Sequence, residues 1–273
     1  MPEGPEIRLA ADRIAKVLVG QKIVAATFGL ATLQKFEQSL VGCVVTAVET
    51  RGKAMLTRFD NGLSLYSHNQ LYGRWYTTRR PNMPNTQRQL RVALHTKLHS
   101  AILYSASSIE VLTDKEIAAH VFLSRLGPDI LDRSLDADAV LQRLVDPAFC
   151  NRALGSLYLQ QGFLAGNGNY LRSEILWAAG VSPWDRPSML DTRALRRLAN
   201  LTLMIARRSY RTRGVTATPK EVAKRKSQGL RFGQYRFQVF DRGNLPCYRC
   251  GTMIECHSMS SRNLFVCPNC QQH

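Results

Sequence analysis

The chain has 273 residues, 45% of them hydrophobic, and its 37 lysines and arginines against 20 aspartates and glutamates give a formal net charge of +17. That length buries a substantial core and suits two domains with a small appended module. The charge calls for a polyanion, and because the basic residues are interspersed with apolar ones, nucleic acid held on a folded surface fits better than a membrane patch or a solvated tail. An acidic N-terminus and the shortness of apolar runs such as Leu201-Thr202-Leu203-Met204-Ile205-Ala206 argue against a secretory signal or a membrane span, so a soluble intracellular protein is expected.

The chain opens on Met1-Pro2-Glu3-Gly4-Pro5-Glu6. Taken alone, this hexapeptide is a helix start, with Pro5 at the first helical position and both acids against the positive end of the helix dipole. Its chemical alternative is an amine. Pro2 is small enough for the initiator methionine to be trimmed, and an α-amino group titrates near ~7.7–8.0, so roughly a tenth is neutral at pH 7 and able to condense with an aldehyde. Ile7, Ala10, Ala11, Ile14, Val17 and Leu18 then recur at helical spacing, with Gly20 placed as a C-cap.

Residues 22–112 alternate as short strands: Val44-Thr46-Val48, Met55-Thr57-Phe59, Leu63-Leu65, Arg91-Ala93-His95 and Ile102-Tyr104, with Asp60-Asn61-Gly62 as a hairpin turn. A β-sandwich or barrel carrying an N-terminal helix fits this pattern. Past Leu126-Gly127-Pro128-Asp129 the spacing becomes helical, over 136–145, 152–161, 170–179 and 192–208. The turn Gly166-Asn167-Gly168-Asn169 suits left-handed backbone and leaves an asparagine and free amides at a helix start. Residues 212–234, rich in Lys, Arg, Gly, Ser and Thr, read as a mobile basic loop.

Five of the seven cysteines lie from Cys247 onward. Cys247-x2-Cys250 and Cys267-x2-Cys270, with sixteen residues between the pairs, have the spacing that presents four thiolates to one zinc ion. Four thiolates leave no open coordination position, so the zinc is structural; Cys256 is a spare. Between the pairs, Met253-Ile254-Glu255 and Leu264-Phe265-Val266 form a hairpin with Ser260-Ser261-Arg262-Asn263 at its tip. Arg262 is thereby presented for gripping phosphate.

In order and spacing, these features resemble the bacterial formamidopyrimidine-DNA glycosylase/endonuclease VIII family over the whole chain. The resemblance is carried by the opening hexapeptide, Thr50-Arg51-Gly52-Lys53-Ala54, Tyr66-Ser67-His68-Asn69-Gln70-Leu71-Tyr72-Gly73, Arg125-Leu126-Gly127-Pro128-Asp129, Gly168-Asn169-Tyr170 and the finger with Arg262. It implies an α+β fold: an N-terminal catalytic β-rich domain (1–124), a helix-two-turn-helix DNA-binding domain (125–215), a basic loop (216–236) and a zinc-finger module (237–273). The activity implied is base-excision repair of damaged double-stranded DNA by a monomer, cytoplasmic and associated with the nucleoid through its DNA, acting as N-glycosylase and abasic-site lyase.

By the same resemblance, Pro2 attacks C1′ to form the iminium and Glu3 is the acid that opens the sugar. Lys53 assists β-elimination, and Arg262 grips phosphate and assists δ-elimination. Asn169 and Arg125 contact DNA, while Glu6 and Glu174 align with acids near the active site. Gln70-Leu71-Tyr72 correspond to the loop that fills the gap left by an extruded base. That wedge and Gly4 favour oxidised pyrimidines as substrates over 8-oxoguanine, which stands as the alternative within the family. A non-catalytic zinc-finger DNA-binding protein is the alternative outside it, opposed by the joint presence of Pro2, Glu3 and Lys53.

Overall fold

The structure, a computed structural model, describes residues 2–272, so the fate of the initiator methionine lies outside the described residues. The chain divides into two compact units, residues 1–125 and 126–273. In the first, α1 (Gly4–Leu18) is followed by β1 (Ala25–Phe28), two single-turn helices, α2 (Ala31–Gln34) and α3 (Glu37–Leu40), and the strands β2 (Val45–Arg51), β3 (Ala54–Phe59) and β4 (Leu63–His68). Then come β5 (Arg74–Arg79), β6 (Leu90–His95), β7 (His99–Tyr104), β8 (Ser108–Thr113), α4 (Asp114–Ala119) and α5 (Val121–Ser124). The strands make two antiparallel four-stranded sheets, ordered β2-β3-β4-β8 and β1-β6-β7-β5.

The apolar stripe of α1 explains where that helix lies. Ile7, Ala10, Ala11, Ile14 and Leu18 are buried and join one core with Val45, Met55, Phe59 and Leu65 of one sheet and Phe28, Leu94 and Leu103 of the other. Burying each of its larger side chains contributes about 1.5–3 kcal/mol, so the helix entrance is fixed by its own packing. At that entrance Glu6 Oε2 accepts the Glu3 N–H at 3.0 Å, the returning half of a capping box. Two hairpins follow the sequence closely. Gly52, at φ 59, and Lys53 join β2 to β3, and Asn61 Oδ1 accepts from Leu63 N–H at 3.1 Å in the turn before β4.

The second unit contains α6 (Ala137–Val145), α7 (Leu154–Leu157), α8 (Asn169–Ala179), α9 (Thr192–Arg211), α10 (Pro219–Ser227), α11 (Phe232–Tyr235) and the hairpin β9 (Glu255–Met259) and β10 (Arg262–Val266). α8 is buried almost all round and runs through a core that includes Leu144, Leu157, Tyr158, Phe163 and Leu198. Its Trp177 packs with Val239, Cys247, Ile254, Phe265 and Cys267, which seats the finger on the helical core. Among the described residues, no helix is long and apolar enough to cross a membrane.

The structure corrects two expectations in this unit. Helix over 152–161 is confined to the four residues of α7, after which the chain turns. The expected basic loop over 216–236 contains the regular helix α10 and the turn α11. Its start signal is local: Pro219 opens the helix, Thr218 Oγ1 accepts from Glu221 N–H at 3.3 Å, and Glu221 Oε2 accepts from Thr218 N–H at 2.7 Å. Arg225 in its last turn is only 4% exposed, which is how so basic a segment acquires a fixed position.

Asn167 is fully buried, and neither its Oδ1 nor its Nδ2 has a protein partner. Leaving such groups unpaired costs about 1–3 kcal/mol, whereas an apolar group of similar shape avoids that cost. Asn167→Leu is therefore expected to raise the thermal midpoint by a few degrees in calorimetry; a fall would show that the amide is satisfied in solution.

Candidate active site and metal centre

In the first unit, Pro2 stands at the entrance of α1 and lines a cleft of about 270 Å³ together with Glu6, Leu71, Tyr72, Trp75 and Arg88. Glu3, beside Pro2 in the chain, is 3% exposed. The helix start and the candidate amine thus coexist: packing of α1 determines where Pro2 lies, and the cleft gives that position access to a ligand. Lys53, in the two-residue β2–β3 turn, is 9% exposed, unlike an ordinary surface lysine. Its charge acts on His68, whose strand partner on β3 is Ala54.

The segment after β4 breaks from core packing. Leu71 is 58% and Tyr72 70% exposed, so these residues are not the buried strand end that their apolar character suggests in isolation. They are nonetheless held. Gln70 adopts left-handed backbone at φ 49, its N–H donates to His68 Nδ1 at 3.2 Å, and Ser107 Oγ donates to its Oε1 at 2.5 Å. Gly73 N–H donates to the Asn69 carbonyl at 2.7 Å, and a Cβ on Gly73 would lie 2.6 Å from that oxygen, so the turn requires glycine. Arg88 Nη1 donates to the Tyr72 carbonyl at 2.6 Å. An apolar tip on a pinned backbone can be inserted without first being ordered.

In the second unit, Asn169 opens α8 and donates from Nδ2 to the Asn263 carbonyl at 2.8 Å, which brings it beside the finger hairpin. Arg172, fully buried one turn later, donates to Asn169 Oδ1 at 2.5 Å and to the carbonyls of Gly155, Asn263 and Met259 at 3.0, 3.3 and 3.4 Å. One guanidinium therefore ties α7, the start of α8 and both strands of the hairpin. Arg262 is exposed at the start of β10, after Ser260 and Ser261 turn through left-handed φ values of 55 and 56. Arg125 is exposed at the end of α5, in the first unit.

The Sγ atoms of Cys247, Cys250, Cys267 and Cys270 all lie within 4.8 Å of one another, with separations of 3.9, 3.4 and 3.5 Å for 247–270, 250–267 and 250–270. A zinc tetrathiolate with Zn–S of about 2.3 Å has tetrahedral edges of about 3.8 Å. The set fits one structural zinc, with Cys256 exposed on β9 outside it. Tyr248, inside the first knuckle, lies between two guanidiniums: Arg225 and Arg242 place Cζ 3.6 and 3.4 Å from its ring centroid. This stacking fastens α10 to the finger.

His68, Ser107, Arg88 and Arg172 escaped sequence reasoning. Arg172 and Glu174 did leave a signal, since both interrupt the otherwise apolar, buried α8 sequence Tyr170-Leu171-x-x-x-Ile175-Leu176. A charge at core spacing requires partners. Glu174 finds them in the N–H groups of Gln238, Val239 and Phe240 at 2.8–3.0 Å and in the Thr216 hydroxyl, anchoring the segment that leads into the finger. The contacts of Ser107 and Arg88 join segments distant in the chain and have no local sequence signature.

Burial holds the pKa of both His68 and His95 below the usual histidine range, assisted by Lys53 at the first and Arg80 at the second. The fold therefore favours the neutral rings. Their stabilisation is complete above the unfolded value of about 6.5 and is lost as pH falls through the lower folded-state values. The thermal midpoint is expected to fall as pH drops below about 6.5, and His68→Gln to remove part of that fall. A flat midpoint over this range would contradict buried neutral imidazoles.

The formamidopyrimidine-DNA glycosylase N-terminal domain model matches residues 1–107, and that of a zinc finger found in FPG and IleRS matches residues 244–272. The chain is 46% identical over 271 residues to Endonuclease 8 of Escherichia coli (strain K12 / DH10B), covering 99% of this chain and 100% of that one. It is 47% identical over 272 residues to Endonuclease 8 of Enterobacter sp. (strain 638), covering 100% of both. Its fold is similar to that of Lactococcus lactis Fpg complexed with abasic-site DNA, at a TM-score of 0.82 and 19% identity over 99% of this chain and 100% of that one. It is likewise similar to the same protein complexed with oxidised-pyrimidine DNA, at 0.82 and 20% identity over 100% of both chains. With these relatives matched along their full length and with the four-cysteine site in place, the chain belongs to the formamidopyrimidine-DNA glycosylase/endonuclease VIII family of base-excision glycosylase/lyases.

Proposed function

We propose that the chain, acting as a monomer on damaged double-stranded DNA, excises oxidised pyrimidines and then cleaves the strand at the resulting abasic site. The observation that carries this is the cleft at Pro2, with buried Glu3 beside it in the chain and exposed Leu71 and Tyr72 in its lining. Extruding a base costs a few kcal/mol, and an apolar tip that refills the gap offsets part of that cost.

Chemistry then follows from an amine next to an acid. The Pro2 nitrogen attacks C1′, the N-glycosidic bond breaks with its electron pair leaving on the base, and Glu3 protonates the ring oxygen as the sugar opens to an iminium. The iminium draws electrons from C2′, so loss of a C2′ proton expels the 3′ phosphate. A second elimination expels the 5′ phosphate, and water releases the sugar remnant and restores the amine. Lys53 is assigned the β-elimination step, as a cation held in the β2–β3 turn. Arg262, with Asn169 beside its hairpin, is assigned phosphate gripping and the δ-elimination step; Arg125 is assigned a further DNA contact. The zinc braces the hairpin and takes no part in bond breaking. Identity to Endonuclease 8 proteins and the Gln70-Leu71-Tyr72 wedge support pyrimidine lesions.

Borohydride reduction with abasic-site DNA is expected to give a covalent adduct in the wild type, and intact-mass measurement to show loss of Met1. Pro2→Gly that traps as well as wild type would remove Pro2 as the nucleophile. Glu3→Gln is expected to slow base excision by about 10²–10⁴-fold. In competition, duplexes with thymine glycol or 5-hydroxycytosine are expected to be incised faster than those with 8-oxoguanine opposite cytosine, and the reverse order would defeat the lesion assignment.

A further inference from the structure

Helix α9 carries six arginines and no acid between Thr192 and Arg211. Leu195, Leu198, Ala199, Leu203 and Ala206 bury one side of it in the helical core. At 3.6 residues per turn, Arg193, Arg197, Asn200, Met204, Arg208 and Arg211 fall on the opposite side, in a single stripe along the helix. Two of the arginines hold the helix in place: Arg207 donates to the carbonyls of Asp132 and Leu135 at 3.0 and 2.6 Å, and Arg208 to the Thr216 carbonyl at 2.8 Å. Arg193, Arg197 and Arg211 are exposed and form no ion pair among the described residues. Arg196 meets Asp138 only at 3.7 Å, with both side chains largely exposed, and a surface pair of that kind contributes little.

The surroundings of this face narrow what it attracts. Arginine grips phosphate and carboxylate oxygens bidentately. A basic helix binds a membrane surface by inserting its apolar side, and in α9 that side is buried in the core. A protein partner needs an apolar or aromatic anchor at the centre of its interface; on the stripe Met204 alone is apolar, 42% exposed, and its Sδ already accepts from Arg208 Nη2 at 3.2 Å. A phosphate backbone needs neither an inserted face nor an anchor, only positive charge along a line.

The stripe runs away from the DNA grip assigned above. Tyr170 Oη and Ser209 Oγ, 2.9 Å apart, tie the C-terminal end of α9 to the start of α8, where Asn169 meets the finger hairpin. At 1.5 Å per residue, Arg193 lies about 24 Å along the helix from Ser209. We propose that the arginine face of α9 is a second DNA-binding surface, which takes the phosphate backbone of an undamaged duplex segment while Asn169 and Arg262 hold the damaged one. The inference rests on that proposed grip. One molecule then touches two segments of a long DNA and passes between them without full release, so that charge beyond what the lesion site uses serves the search for damage.

The test uses the full-length protein bound to an immobilised duplex carrying a tetrahydrofuran abasic analogue, to which a labelled undamaged duplex is added. Wild type is expected to capture the second duplex whatever its sequence. Arg193→Gln combined with Arg197→Gln is expected to cut capture about tenfold and to lower its log–log salt slope by about 2, one for each phosphate contact removed. Arg193→Lys combined with Arg197→Lys, which keeps both charges, is expected to retain most of the capture, with melting curves checking that the variants fold. No capture by wild type, or capture by the glutamine variant equal to wild type, would overturn the assignment. So would an equal loss of the glutamine variant's affinity for the immobilised duplex, which would place the stripe on the damaged duplex itself. A wild type that binds the analogue no better than undamaged duplex would defeat the proposed function instead, and capture of the second duplex would still decide whether α9 is a second surface.

Discussion

A buried guanidinium held by backbone carbonyls from several segments is the constraint on which the second unit depends. Arg172 is fully buried and donates to main-chain oxygens of α7 and of both strands of the finger hairpin as well as to Asn169 Oδ1. Such a charge is tolerated only when its donors are satisfied together. The α8 start, α7 and the hairpin must therefore hold one mutual geometry, and Asn169 and Arg262 inherit it. Arg225 and Arg242 extend the same device around Tyr248, donating to the carbonyls of Tyr235, Phe237, Gln238 and Pro246. With the four-cysteine site, they turn a very basic segment into an ordered surface.

In the first unit the corresponding constraint is apolar. α1 is held against both sheets, so its entrance is a fixed point, and the nitrogen of Pro2 is carried there by Ile7, Ile14 and Leu18 far more than by any contact of its own. Around it the chain accepts local penalties: exposed Leu71 and Tyr72, left-handed Gln70 and Ser105, and a bulge at Arg91. Departures of this kind persist where surrounding structure over-determines them, and they gather at functional sites.

Much of the fold was legible because its signals are local. The α1 stripe, the Asp60-Asn61-Gly62 turn, Asp136 capping α6 and the paired cysteines each state their structure within a few residues. β1 and β5 carry no local strand signal, because each is short or polar and becomes a strand by pairing with β6 or β7. In α10 the capping box of Thr218-Pro219 and Glu221 is a local signal, but the basic run that follows reads as loop, because the helix gains its position from Arg225 stacking on Tyr248.

The sequence by itself determined the chemistry available: an amine at position 2 once Met1 is removed, a neighbouring carboxylate, a lysine in a two-residue turn and four thiolates at zinc spacing. These are properties of residue type and short-range spacing. Only tertiary structure decided that Leu71 and Tyr72 stand exposed, that Lys53 is buried and acts on His68, and that Arg172 joins Asn169 to the finger. Burial and hydrogen bonding between distant segments depend on how the elements pack, and no short stretch of the chain carries that information.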